Sequence, residues 1–217
     1  MAHDLGELFT APRDFLKMNL LVMRGVLPTV AGIYQFTFTD MSGNDLPAPE
    51  RCKSSRKSRY FWKSAHTIHV WDVRYDTTGS RGSAAYHLPY EPGTLRRGTL
   101  PSTAPLMLTS EMTGCTFGVA RFNNGQIDIC HANYQTKDGH IDVERLSRET
   151  AFCTRRFEDQ NYRQQIRGAA VPNINRQSSL GATIIGTNHP RQGWKIYAQQ
   201  WENLNGTDFT YHDLIDL

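Results

Sequence analysis

Nothing in this 217-residue chain approaches the roughly 18 to 20 consecutive apolar residues that a membrane-spanning helix requires. The sequence therefore predicts a soluble protein. It also lacks a Sec signal: the start, "MAHDLGELFTAPRDFLKMNLLVMRGVLPTVAG", places acidic residues ahead of a short apolar run bracketed by Lys17 and Arg24. That absence suits either a cytoplasmic protein or one exported by a route that reads no cleavable signal. Charge of one sign is scarce as well. A net charge of +3 is too small to argue for a nucleic-acid partner, and the positive residues cluster only in "RCKSSRKSRYFWK", Arg51 to Lys63. Cysteine is sparse, and Cys52, Cys115, Cys130 and Cys153 are spaced without any paired Cys-x-x-Cys of a zinc site. No metal or cofactor is expected, and free thiols are simpler than disulfides in a chain long enough to build its own core.

What is present is mainly strand pattern. "GIYQFTFTD" (Gly32 to Asp40) and "HTIHVWDVRYD" (His66 to Asp76) alternate polar and apolar residues and are rich in β-branched and aromatic types. "LGATIIGTNHPRQGWKIYAQQWEN" reads as two strands, Ala182–Thr187 and Trp194–Trp201, joined by a turn at Asn188–Gly193. The first thirty residues read as helix over "DLGELF" and "PRDFLKMNLLVMRGV", with Pro12 in a first turn. "IDVERLSRETAFCTRRFED" has helical content, and Thr77 to Pro105, rich in Gly, Pro, Ser and Thr, reads as a long surface loop. With no repeat and no linker, the expectation is a single domain over 1–217. Its class is α+β: a β-sandwich of mixed or antiparallel sheets with flanking helices.

The chemistry-bearing stretch is "TSEMTGCTFGVARFNNGQIDICHAN", Thr109 to Asn133. Asn123-Asn124-Gly125 suits a three-residue hairpin loop with Gly125 in the left-handed conformation. Placing Phe122 opposite Gln126 puts Cys115, Phe117, Val119, Ile127, Ile129 and His131 on one face, which is the one expected to be buried. Cys130 falls on the other face, away from Cys115. His131 then lies opposite Phe117, with Cys115 as its diagonal neighbour about 7–8 Å away at the backbone. A two-residue loop at Asn124-Gly125 would reverse the parity and separate the pair. A thiol beside an imidazole can act as a nucleophile with an attendant base, and the backbone N–H groups near Gly114 and Cys115 can face a developing oxyanion. A buried, inert cysteine with a satisfied histidine is the structural alternative.

"MTGCTFGVAR" followed by "CHAN", with His131 sixteen residues after Cys115, resembles the catalytic core of deamidase toxins of the cytotoxic necrotizing factor and Burkholderia lethal factor type. The chemoreceptor glutamine deamidases share that arrangement. In lethal-factor and chemoreceptor members a threonine stands six positions before the cysteine, where this chain has Thr109. The chain departs from the usual Leu-Ser at Met112-Thr113, keeping an apolar residue and a hydroxyl. The subfamily, and hence the substrate, stays open. The resemblance implies a β-sandwich and a cofactor-free hydrolase with Cys115 as nucleophile and His131 as acid and base. It further implies Thr109 as an orienting hydroxyl and Gly114 as the turn. It implies a protein substrate, such as a host GTPase or translation factor, acted on by a monomeric effector delivered into host cytosol without Sec, or by a bacterial cytoplasmic enzyme. A transglutaminase or protease with the same nucleophile is a second enzymatic reading. The contrasting class is a binding protein that uses the basic 51–63 segment and the 77–105 loop.

His66 and His69, three apart in a strand, point to opposite faces and do not suggest a shared metal. Trp194, Tyr197 and Trp201 are expected to be packing residues, and His140 and His189 to be exposed in turns.

Overall fold

The computed structural model describes residues 4–42, 50–54, 67–134, 141–158, 160–161 and 179–217. The N-terminal helical reading holds for α1 (Glu7–Thr10) and α2 (Pro12–Met18), where Pro12 supplies the preset φ of a first turn. It fails from Asn19 onward, where "NLLVMR" is a strand, β1 (Asn19–Arg24). Four consecutive apolar residues without a polar face suit a strand covered on both sides, and β1 is buried from Asn19 to Met23. The alternating segments form β2 (Gly32–Asp40) and, after β3 (Arg51–Ser54), β4 (Thr67–Tyr75). The expected loop from Thr77 to Pro105 instead contains two strands, β5 (Ser83–Leu88) and β6 (Leu95–Thr99). Apart from Gly98, which lies within β6, its glycines and prolines fall outside those strands.

Then come β7 (Leu106–Thr109) and the hairpin β8 (Thr116–Arg121) and β9 (Ile127–Ala132). The helical content expected over 141–159 reduces to α3 (Val143–Glu149), whose first turn is capped by the Asp142 carboxylate accepting from Arg145 N–H at 3.0 Å, followed by β10 (Arg155–Phe157). The chain closes with β11 (Ser179–His189), β12 (Gly193–Asn203) and β13 (Asp208–Asp216).

Eight strands close on themselves in the order β4-β2-β5-β7-β11-β12-β13-β3, because β3 pairs in parallel with β13 and antiparallel with β4. This closed barrel, with β10-β8-β9-β6 as a small second sheet, replaces the expected sandwich with flanking helices. Among the described residues strand outweighs helix by 52% to 12%, so they are mostly β rather than α+β. The reason lies in edge pairing. Alternation within a strand tells which face is apolar, whereas closure depends on which distant edges meet.

Along β11 and β12 the odd residues Ile185, Tyr197 and Trp201 join one core, and the even residues Ala182, Ile184, Trp194, Ile196 and Ala198 join another. The first core fills the barrel. It includes Phe36, Ala85, Leu106, Leu108, Phe209 and Tyr211 from the barrel strands and Leu8, Phe15, Leu16, Leu20 and Leu21 from the N-terminal segment. Apart from Ala85, each of these side chains contributes roughly 1.5–3 kcal/mol by leaving water. The N-terminal segment is thus wrapped by the barrel. β1 pairs in parallel with β4, and its other edge is met by inward-facing side chains. Gln199 Oε1 accepts from Leu21 N–H at 3.0 Å, and the Thr183 hydroxyl donates to Leu21 O at 3.0 Å. The second core lies between the barrel wall and the small sheet, where Phe117, Val119, Ile129 and Phe157 meet Met107, Ile184, Ile196 and Ala198.

Candidate functional site

The hairpin has the register expected from a three-residue loop. Phe122 N–H donates to Gln126 O at 3.0 Å, Gly125 has φ 84°, and Phe117 pairs with His131 and Thr116 with Ala132. Cys115, Phe117, Val119, Ile127 and Ile129 accordingly face the barrel wall. The opposite face is buried too, which alternation did not predict. There α3 lays Leu146 against Ala132 and Tyr134, and Cys130 is covered as well.

Cys115 stands at the entrance to β8, just after Gly114, whose φ of 146° is reached readily only without a side chain. Continuing the register by one pair sets Cys115 across from Asn133. The Asn133 amide Nδ2 lies 3.5 Å from Cys115 Sγ and donates to Tyr90 Oη at 2.9 Å. Asn133 is in turn fixed by its backbone N–H, which donates to Thr94 O at 3.0 Å. His131 sits centrally in the small sheet, between Phe117 of β8 and Arg96 of β6. Its ring lies under Tyr90, with centroids 5.7 Å apart. Both imidazole nitrogens are buried without a hydrogen-bond partner. Burial, with a smaller contribution from His87, pushes the His131 pKa down to about 4, so the ring is neutral at neutral pH.

The hairpin thus brings Cys115, His131 and Asn133 onto one face. Thr109, at the end of β7, is fully buried, but its hydroxyl donates to Ser110 O at 3.0 Å and not to His131. It therefore does not orient the imidazole in this conformation. Asn133 and Tyr90 are site residues the sequence reasoning missed. For Asn133 a signal existed: it follows His131 by two positions and shares its parity. Tyr90 had none, because it arrives from residues 89–94, which join β5 to β6. Cys115 and His131 are only 3% and 2% exposed, whereas Tyr90, which covers them, is 39% exposed.

Other expected features sit elsewhere. His69 Nδ1 pairs with Asp40 Oδ2 at 3.0 Å, and Tyr197 and Trp201 lie in the barrel core. His66, His140 and most of the basic cluster lie outside the described residues. Among the described residues no three His, Cys, Asp or Glu side chains gather as metal ligands would, and no helix is long and apolar enough to cross a membrane. No protein-family model matches this chain, and no curated protein matches its sequence.

Proposed function

We propose that the chain is a cysteine-dependent protein glutamine deamidase with Cys115 as nucleophile and His131 as general base and acid. One observation carries this reading: a cysteine behind a glycine turn lies diagonal, on one strand face, to an imidazole with both nitrogens uncommitted. A neutral imidazole is a competent base. It takes the thiol proton as sulfur attacks the carboxamide carbon of a glutamine side chain, then returns that proton to the departing ammonia. It next takes a proton from the water that hydrolyses the thioester to glutamate. The Asn133 amide positions the sulfur, and backbone N–H groups at the Gly114 turn face the oxyanion. Access requires Tyr90 to leave the His131 ring, so a glutamine side chain would occupy the place of the tyrosine. The resemblance to the deamidase toxins supplies the substrate class, a protein glutamine, and delivery into another cell's cytosol by a route other than Sec.

The test is incubation with cell lysate, followed by ammonia release and peptide mass spectrometry for glutamine-to-glutamate conversion. Cys115→Ala should abolish conversion, and His131→Ala should lower it by about 10²–10⁴-fold. Conversion without chain cleavage separates deamidation from proteolysis, and incorporation of an added amine marks transglutamination.

Burial favours a second reading, in which Cys115 and His131 are core residues and the protein binds a partner through its turns. If native Cys115 resists alkylation at every pH and no glutamine is converted, the deamidase proposal fails and this reading stands.

A further inference from the structure

The back of the small sheet, away from Cys115, carries a second sulfur site. Cys130 of β9 and Cys153, which precedes β10, place their Sγ atoms 3.5 Å apart although 23 residues separate them. They meet across β8 at Gly118, which pairs with Cys130 on one side and Arg156 on the other. A Cβ at Gly118 would stand 2.4 Å from the Cys153 sulfur and 2.7 Å from the Cys130 sulfur. The missing side chain is therefore what lets the two thiols touch.

We propose that Cys130 and Cys153 are a dithiol exchange site that reacts with small-molecule disulfides and closes to an intramolecular disulfide. The two sulfurs differ in the way such chemistry needs. Cys153 is partly exposed, and its thiol pKa is lowered by the hydrogen bond from Cys130, with Arg97 and Arg156 adding positive charge nearby. Cys130 is fully buried, and its pKa is raised by that same hydrogen bond and by burial. Arg97 is held in place by donating from Nη2 to Glu149 O at 2.9 Å. Cys153 is thus the attacking thiol and Cys130 the resolving one. The Cys153 thiolate attacks one sulfur of a disulfide RSSR, the S–S bond breaks, and one RS⁻ leaves and is protonated. Cys130 then gives up its proton and attacks Cys153 Sγ, expelling the second thiolate. The protein dithiol is oxidised by two electrons and RSSR is reduced to two thiols. Closure to a bond of about 2.05 Å asks for a sulfur movement of roughly 1.5 Å, which falls on the non-strand segment that carries Cys153.

The full chain is equilibrated in buffers of graded oxidised to reduced glutathione, quenched in acid, alkylated and mapped by mass spectrometry. The expected result is loss of two hydrogens and one crosslinked peptide pair joining Cys130 to Cys153, while Cys52 and Cys115 still alkylate. Cys130→Ser should stop at one glutathione on Cys153, and Gly118→Ala should lower the exchange constant at least tenfold. A wild-type chain that pairs other cysteines, or that accumulates only mixed disulfide on Cys153, overturns the proposal. Because the decisive reading is made on the wild type, a variant that fails to fold does not blur it.

Discussion

At the residue scale, His131 and Asn133 each decide one measurable property. Its folded pKa of about 4 lies below the unfolded value of about 6.5, so between those pH values the unfolded chain binds more protons than the folded one. Stability from this group is complete above about pH 6.5 and is lost as pH falls toward 4. His87, also held at about 4 by burial, acts in the same direction, while Glu111, pushed up to about 7 by burial, acts in the opposite one. The informative quantity is therefore the difference between wild type and His131→Phe in urea unfolding. That difference should change by up to about 3 kcal/mol between pH 7 and pH 4. A difference independent of pH would show that the folded and unfolded imidazoles take up protons alike, so that burial does not depress the His131 pKa. The second property concerns Asn133, whose amide bridges Cys115 and Tyr90. Asn133→Ala removes a hydrogen bond to sulfur worth about 1–1.5 kcal/mol, so kcat for deamidation should fall about tenfold with alkylation of Cys115 correspondingly slowed. Unchanged kinetics would remove Asn133 from the site.

At the scale of elements, the hairpin and β1 make opposite cases. The β8–β9 register was legible from sequence, because a loop containing Asn123-Asn124-Gly125 fixes parity locally and parity then places every side chain. β1 was not legible. Its four apolar residues follow a genuine helix without a break, and what makes them a strand is β4 on one edge and Gln199 and Thr183 on the other, from distant positions in the chain. Gln199 also donates from Nε2 to Leu16 O at 2.8 Å and to Asn19 O at 2.6 Å. Gln199→Leu would leave three buried backbone groups without partners. It should destabilise the fold by roughly 3–5 kcal/mol in denaturant titration, since each buried unsatisfied group costs about 1–3 kcal/mol. A loss below 1 kcal/mol would mean that β1 is not held by this side chain. The turns of 77–105 taught a similar lesson. Gly- and Pro-rich composition located the turns, but the strands between them, "SAAYHL" and "LRRGT", are short and owe their conformation to neighbours.

At the scale of the molecule, the small sheet has only a minor apolar cluster of its own, Ala132, Tyr134 and Leu146 with Leu95 and Ile141 beside them. Its Phe117, Val119, Ile129 and Phe157 are buried only because the outer wall of the barrel lies against them. Barrel and sheet should therefore unfold together. Amide hydrogen exchange is expected to put β8 and β9 in the same slowest class as β11 and β12, and a separate, faster class for β8 and β9 would divide the chain into two folding units. The sequence by itself determined the alternating strands β2, β4, β11 and β12, the hairpin loop, and the common face of Cys115 and His131, because each rests on periodicity or turn chemistry within a few residues. Only the tertiary structure decided that eight strands close into a barrel, that β1 is wrapped inside it, that Tyr90 covers His131, and that Cys130 meets Cys153 over Gly118. Each of those depends on edges and side chains brought together from far apart in the chain, and such encounters leave no local pattern to read.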